Sequence, residues 1–209
     1  LDVKVGDGAF MKTLEDARAL AEVMREIGTM AGRQVTCLLT DMDQPLGRFA
    51  GHSHEVIESL EVLKGRGASD LRDLSIELSA WMFYLGERTQ SVDQGRLLAQ
   101  KLIASGEALE KFRKGIELQG GDARAVDDYA ILPQAKNRRE VKSTMSGFVA
   151  STNCMEFGVA LAMPGRTEAT GEPDGLAQHG TFARLVSGFA ILWKLRPVMR
   201  LPRESTSVP

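Results

Sequence analysis

Leu1-Asp2-Val3-Lys4-Val5-Gly6-Asp7-Gly8-Ala9-Phe10-Met11-Lys12-Thr13-Leu14-Glu15-Asp16-Ala17 is a short β-type run that breaks at two glycines and passes straight into a helix. Residues 1–6 read as a strand with Val3 and Val5 on one face. Residues 13–31 then carry Leu14, Ala17, Leu20, Ala21, Met24 and Ile27 at helical spacing, and Gly32 just past the end suits a C-cap. Residues 34–40 form a second, mostly apolar β-rich run. Strand, helix and buried strand make a βαβ unit, which predicts parallel neighbouring strands. Leu1 stands where an initiator Met would stand and already lies inside a strand, so the expectation is a piece of a longer chain.

Outward from that unit the texture becomes helical. Asp41–Phe49 is a turn-rich loop holding Pro45 and Gly47, and a helix over about 52–64 follows, with Val56, Leu60 and Leu63 in register. Leu71, Leu74, Leu78, Met82 and Leu85 form an amphipathic stripe over 70–86. Further helices are predicted near 92–105 and 106–118, closed by the turn Gln119-Gly120-Gly121-Asp122. Weak alternation over Glu140–Ser151 suggests strands, Met155–Met163 a short helix, and beyond Pro164 the composition is irregular with a late apolar cluster, Phe189–Trp193. The expected class is α/β: part of a mixed sheet with a βαβ start, a following helical region and a C-terminal β-rich remnant.

Composition narrows the function classes. The 209 residues are 43% hydrophobic and 26% charged with a formal net charge of −2, ordinary for a globular protein. That balance provides no bulk attraction to nucleic acid or to an anionic membrane surface. No apolar run approaches the ~18 residues needed to cross a bilayer. Cys37 and Cys154 fit no metal spacing and are too few for a disulfide framework, which suits reduced, buried thiols in the cytoplasm.

The glycine loop Val5–Phe10 lies at the carboxyl end of a strand, where open α/β sheets place ligands. As a pattern it is neither a P-loop nor a full dinucleotide fingerprint, so on periodicity alone a plain strand–helix turn is the favoured reading. Thr40-Asp41-Met42-Asp43-Gln44-Pro45-Leu46-Gly47-Arg48, leading into Gly51–Glu58, follows the second strand and should sit at the same sheet edge. Glu55 and Glu58, three apart on a helix, share a face. Two readings stand for them: carboxylates opposing the positive helix N-terminus, or a carboxylate that joins loop carbonyls around a hard cation. His52 and His54, two apart, cannot share a helix face and do not make a zinc pair. Trp81, Phe83 and Tyr84 belong to a core or a subunit contact.

Taken together, Asp2-Val-Lys-Val-Gly-x-Gly-Ala-Phe-Met-Lys12 and Thr40-Asp-Met-Asp-Gln-Pro-Leu-Gly-Arg-x-x-Gly-x-x-x-Glu-Val56 resemble the thymidine and pyrimidine-nucleoside phosphorylases. The likeness runs on through Leu63-Lys64-Gly65, Asp70-Leu71, Gln119–Asp122 and Leu132-Pro133 to about Met163. The resemblance implies a homodimeric pentosyltransferase of nucleoside salvage. Such an enzyme cleaves a pyrimidine nucleoside with inorganic phosphate, giving free base and a pentose 1-phosphate. It implies that residues 1–135 belong to a large α/β domain, that 136–166 begin a C-terminal β-rich domain, and that 167–209 are a divergent tail, expected to pack poorly.

The same resemblance assigns roles. Phe10 matches an aromatic lining the base pocket, and Gly6 and Gly8 match the wall behind it. A potassium ion would take the backbone carbonyls of Leu46 and Phe49 and the carboxylate of Glu58, together with ligands from the family's phosphate loop, so the chain alone should bind it poorly. The family's phosphate loop and its pyrimidine-gripping Arg, Ser and Lys precede the stretch aligned with Asp2, so no catalytic residue is expected within residues 1–209. The chain by itself should then turn over poorly. Asp7 replaces a usually small residue, Phe49 another, and His52-Ser53-His54 replaces Asn-Ala-Leu. After Met163-Pro164-Gly165-Arg166 the likeness is lost. A phosphoribosyltransferase fits the Asp-Gln-Pro-Leu-Gly stretch less well. The alternative from another class is a non-catalytic scaffold or dimerisation module that uses the 71–85 stripe. Choice between thymidine and uridine is left open by these residues.

Overall fold

The computed structural model describes residues 1–134, 140, 146–162, 183–184 and 199–200. The chain divides into two compact units. One comprises Leu1–Gln44, Ser151–Met155 and Leu192–Pro209, the other Pro45–Ala150 and Glu156–Ile191.

The first unit is built on the βαβ start. Strand β1 (Asp2–Val5) pairs in parallel with β2 (Leu38–Asp41), in the register Asp2 to Leu38 through Val5 to Asp41. The second strand is therefore shorter at its start than the 34–40 run suggests. Leu1 bonds across to Thr36 and Leu38, while Gln34–Cys37 lie outside the ladder. Helix α1 (Leu14–Met30) connects the two strands. Its N-cap Thr13 accepts from the Asp16 N–H, and the Thr13 hydroxyl donates back to Asp16 Oδ2 at 2.6 Å. Glu15 and Asp16 in the first turn suit the positive helix end. Gly32, in the left-handed region, follows the cap residue Ala31 as predicted.

The core of this unit gathers Val3, Val5, Ala17, Ala21, Cys37 and Leu39, with Met11, Leu14 and Val35 against it. Only the alanines of α1 are fully buried; Leu20, Met24 and Ile27, expected on the core face, are largely exposed. Small side chains set the closest approach of helix to sheet, and the longer ones flank that seam. β2 also pairs antiparallel with β5 (Met199–Arg200).

In the second unit, β3 (Phe49–Ala50) pairs antiparallel with β4 (Ala183–Arg184), and four helices follow β3: α2 (His52–Leu63), α3 (Ser69–Leu85), α4 (Val92–Ala104) and α5 (Glu107–Leu118). α3 and α4 form a helical hairpin whose backbones come close: a Cβ on Gly95 would lie 2.6 Å from the Ala80 carbonyl oxygen. The buried face of α3 runs along Ile76, Ala80 and Trp81 rather than along the predicted leucine stripe, of which Met82 is 72% exposed. The close Ala80–Gly95 crossing decides this, because it turns the small-residue face of α3 toward α4. Glu77 ties the pair together. It accepts from Trp81 Nε1 (3.0 Å) and from Arg96 Nε and Nη2 (2.6 and 2.9 Å), and the Arg96 hydrogen bonds hold its carboxyl below the usual range. Trp81 thus belongs to the core of the chain itself.

After α5, two 3₁₀ turns (Ala123–Val126 and Tyr129–Ile131) are fastened to α2. Lys64 Nζ donates to the Val126 carbonyl (2.6 Å) and to the Tyr129 hydroxyl (2.9 Å), which in turn donates to Glu61 Oε1 at 2.5 Å. Helix α6 (Cys154–Ala162) matches the predicted short helix. The strands suggested over 140–151 are not present among the described residues 146–151, where Phe148 and Val149 are exposed and no neighbouring strand pairs with them. Val141 and Met145 lie outside the described residues. So does the 167–209 tail with its 189–193 cluster, apart from the backbone of β4 and β5.

Candidate active-site loops

In the first unit the loops leaving the carboxyl ends of β1 and β2 meet, as the sequence predicts. Met42 N donates to the Val5 carbonyl (2.8 Å), Gly8 N to the Met42 carbonyl (3.0 Å) and Asp7 N to Asp43 Oδ1 (2.9 Å). Gly6 donates its N–H to the Met11 carbonyl (3.0 Å). Both glycines are required by crowding. A Cβ on Gly6 would fall 2.5 Å from Asp43 Oδ1, in a backbone with φ of +133°, and one on Gly8 would fall 2.8 Å from Cys154 Sγ. The result is a tight, hydrogen-bonded ridge, and Phe10 projects from it 96% exposed.

Asp7 contributes something its position in the sequence did not reveal. Its Oδ2 accepts from the Met155 N–H (3.0 Å) at the first turn of α6, an anion on an orphan helix donor. Cys154 beside it is buried. Burial pushes its thiol above the ordinary value, and the charges of Asp7, Asp43 and Asp41 push it further. Burial likewise raises the Cys37 thiol.

The second unit holds the loop Pro45–Ala50 and the start of α2. Glu58 is only 3% exposed, and its carboxylate points into the loop backbone, where Oε1 accepts from Arg48 N (2.7 Å) and Oε2 from Phe49 N (3.2 Å). The preceding N–H, of Gly47, donates to Asp70 Oδ2 (2.8 Å), from a side chain in the first turn of α3 that is itself 8% exposed. Three successive loop amides therefore close on two buried carboxylates. Burial pushes the Glu58 carboxyl above the ordinary carboxylate value, and the Asp70 charge adds to that rise against the lowering pull of the Arg48 and Phe49 amides.

Glu55 and Glu58 do not act as a pair. Glu55 Oε1 reaches back to the N–H of the N-cap Gly51 (2.7 Å), in the manner of a capping box, while Glu58 turns inward. Leu46 is partly exposed and Phe49 half-buried, its ring stacked on His54 at 5.5 Å. Among the described residues no three His, Cys, Asp or Glu side chains cluster as a metal centre. The groups recorded around Glu58 are backbone amides, those of Arg48 and Phe49, with Asp70 holding the amide before them. Asp70 was missed as a partner of this loop because nothing local links it to Gly47, 23 positions earlier. Its only sequence signal is an acidic residue opening a helix.

No helix among the described residues is long and apolar enough to cross a membrane. Residues 1–109 match the α/β domain of a glycosyl transferase family. The chain is 44% identical over 174 residues to pyrimidine-nucleoside phosphorylases of Staphylococcus aureus strains USA300, NCTC 8325 and COL, an alignment covering 83% of this chain and 40% of each relative. It therefore spans about 40% of the length of these curated relatives. The two glycine-bearing loops and the helices that carry Glu58 and Asp70 all fall inside the matched residues, and on that match the chain belongs to this glycosyl transferase family.

Proposed function

We propose that this chain contributes one wall of a pyrimidine nucleoside phosphorylase site. The reaction would join inorganic phosphate to the pentose of thymidine or uridine and release the free base, in cytoplasmic nucleoside salvage by a homodimer. The observation that carries this reading is Phe10. A phenylalanine left 96% exposed on a rigid, hydrogen-bonded ridge at the carboxyl edge of a parallel strand pair is placed to cover an aromatic ligand. Gly6 and Gly8 let the ridge close tightly on Asp43 and Cys154 as the wall behind the pocket, and Phe10 would line the base pocket. The naming of the Staphylococcus aureus relatives as pyrimidine-nucleoside phosphorylases supports the choice of base.

The residues at the second loop fit a potassium ion. Glu58 brings buried negative charge to the loop, and its described hydrogen bonds come from backbone amides. Leu46 and Phe49 would offer carbonyls and Glu58 its carboxylate. Bound there, the ion would supply a fixed positive charge near the phosphate. In this reading the groups that grip phosphate and base would come from outside residues 1–209, and the chain alone should show little turnover. In the same reading, residues 136–166 begin a C-terminal β-rich domain.

A phosphorolysis assay with uridine and thymidine tests this, run with and without potassium and with and without a separately expressed N-terminal half of a relative. Activity on mixing is the expected result, and robust turnover by the chain alone refutes the division of labour. A second reading, a docking module, has the exposed Met82 at the end of the α3 stripe in its favour. Gel filtration and pulldown separate the two: tight association with an unrelated protein, without activity on mixing, favours the module.

A further inference from the structure

We infer that Asp70 is a positioning residue for the cation loop, which it serves by setting the plane of the Leu46–Gly47 peptide. The inference rests on the proposed potassium site. A peptide unit is planar, and in the trans form its N–H and C=O point in opposite directions. No cis peptide occurs among the described residues, and the Gly47 N–H donates to Asp70 Oδ2 at 2.8 Å. The carbonyl of the same unit belongs to Leu46, so the Asp70 carboxylate holds the Leu46 oxygen directed away from itself. Leu46 is one of the two proposed carbonyl donors.

The neighbouring geometry leaves the unit little freedom. Gly47 has φ of +76°, and a Cβ on it would lie 2.3 Å from Glu58 Oε2, so its Cα is pressed against the proposed carboxylate donor. Glu58 in turn holds the next two amides. One carboxylate would thus meet the ion while the other orients a carbonyl that meets it. Asp70 is nearly excluded from solvent, which protects its hydrogen bond from competition by water.

The test is a three-dimensional HNCO titration of the isotope-labelled 209-residue chain, mixed with the separately expressed N-terminal half of a relative, with potassium chloride against choline chloride at equal ionic strength, following the Leu46 and Phe49 carbonyl carbons. Both should move with potassium and not with choline. In Asp70→Ala the potassium midpoint should rise about tenfold, the size typical when a group orienting a metal ligand is lost. Asp70→Asn, whose amide oxygen still accepts from Gly47, should stay near the wild-type midpoint. Equal losses in Asn and Ala would overturn orientation as the cause. A wild-type response that Asp70→Ala leaves unchanged overturns the positioning role alone; no potassium-specific response in the wild type removes the cation reading, and this inference with it. Should Asp70→Ala not fold, the through-hydrogen-bond coupling between Gly47 N and Asp70 Cγ decides in the wild-type chain, and its absence refutes the inference.

Discussion

Gly47 lies directly against the Glu58 carboxylate: a Cβ at position 47 would stand 2.3 Å from Oε2 and 2.7 Å from the carboxyl carbon, on a backbone whose φ is +76°. Glu58 is buried, so neither partner can swing aside into solvent. The loop and the first half of α2 are therefore a single steric unit.

Gly47→Ala should destabilise the chain by about 2–4 kcal/mol, the sum of a positive-φ side chain and an overpacked contact. Urea unfolding followed by circular dichroism measures it. A loss within experimental error would mean that the loop relaxes away from Glu58.

Phe10→Ala should leave stability within about 0.5 kcal/mol, because a side chain 96% exposed loses almost no burial. Binding of a pyrimidine nucleoside, read by ligand-detected NMR, should weaken by about 1 kcal/mol if the ring covers the base. Unchanged binding would remove Phe10 from the pocket.

Cys37 and Cys154 should resist alkylation. Both are buried with thiols raised above the ordinary value, so little thiolate forms at neutral pH. Iodoacetamide labelling of the folded chain should run at least about tenfold slower than in urea, by mass spectrometry. Rapid native labelling of Cys154 would show that the contact between the glycine loop and α6 opens readily.

Acid should weaken the attachment of the 3₁₀ turns to α2. Hydrogen bonds from Arg66 (2.9 Å) and from Tyr129 lower the Glu61 carboxyl from 4.5 to about 2. A carboxyl lowered in the folded state contributes stability that is present above its unfolded value and lost as pH falls toward the folded one. Between pH 4.5 and 2 the wild type should therefore lose about 1 kcal/mol more than Glu61→Gln, once solvent screening is allowed for. Unfolding free energies across that range give the comparison, and parallel curves would contradict it. Tyr129 moves the opposite way: burial and the hydrogen bond it donates to Glu61 push its phenol to about 12.

Much of the fold is local and could be seen without tertiary structure. Val3, Val5 and the Leu38–Thr40 run, with a capped helix between, lead to a parallel pair because strand and helix periods are local properties of the chain. The helix bounds at Thr13, Ser91 and Gly106 follow from cap chemistry acting over three or four residues. Less legible was which helical face would be buried. The leucine stripe of α3 was the stronger pattern, yet the close approach of Ala80 to Gly95 chose another face, and that choice depends on the shape of a second helix.

The sequence by itself determined the βαβ start, the helices that follow it and the two loops that carry the family's signature, because each is written in contiguous residues. Only the tertiary structure decided the partners of the buried and half-buried carboxylates. Asp70 meets Gly47 across 23 positions, Tyr129 meets Glu61 across 68 and Asp7 meets Met155 across 148. The physical reason is desolvation. A carboxylate taken out of water must find donors wherever packing brings them, and sequence distance has no bearing on which amides those are.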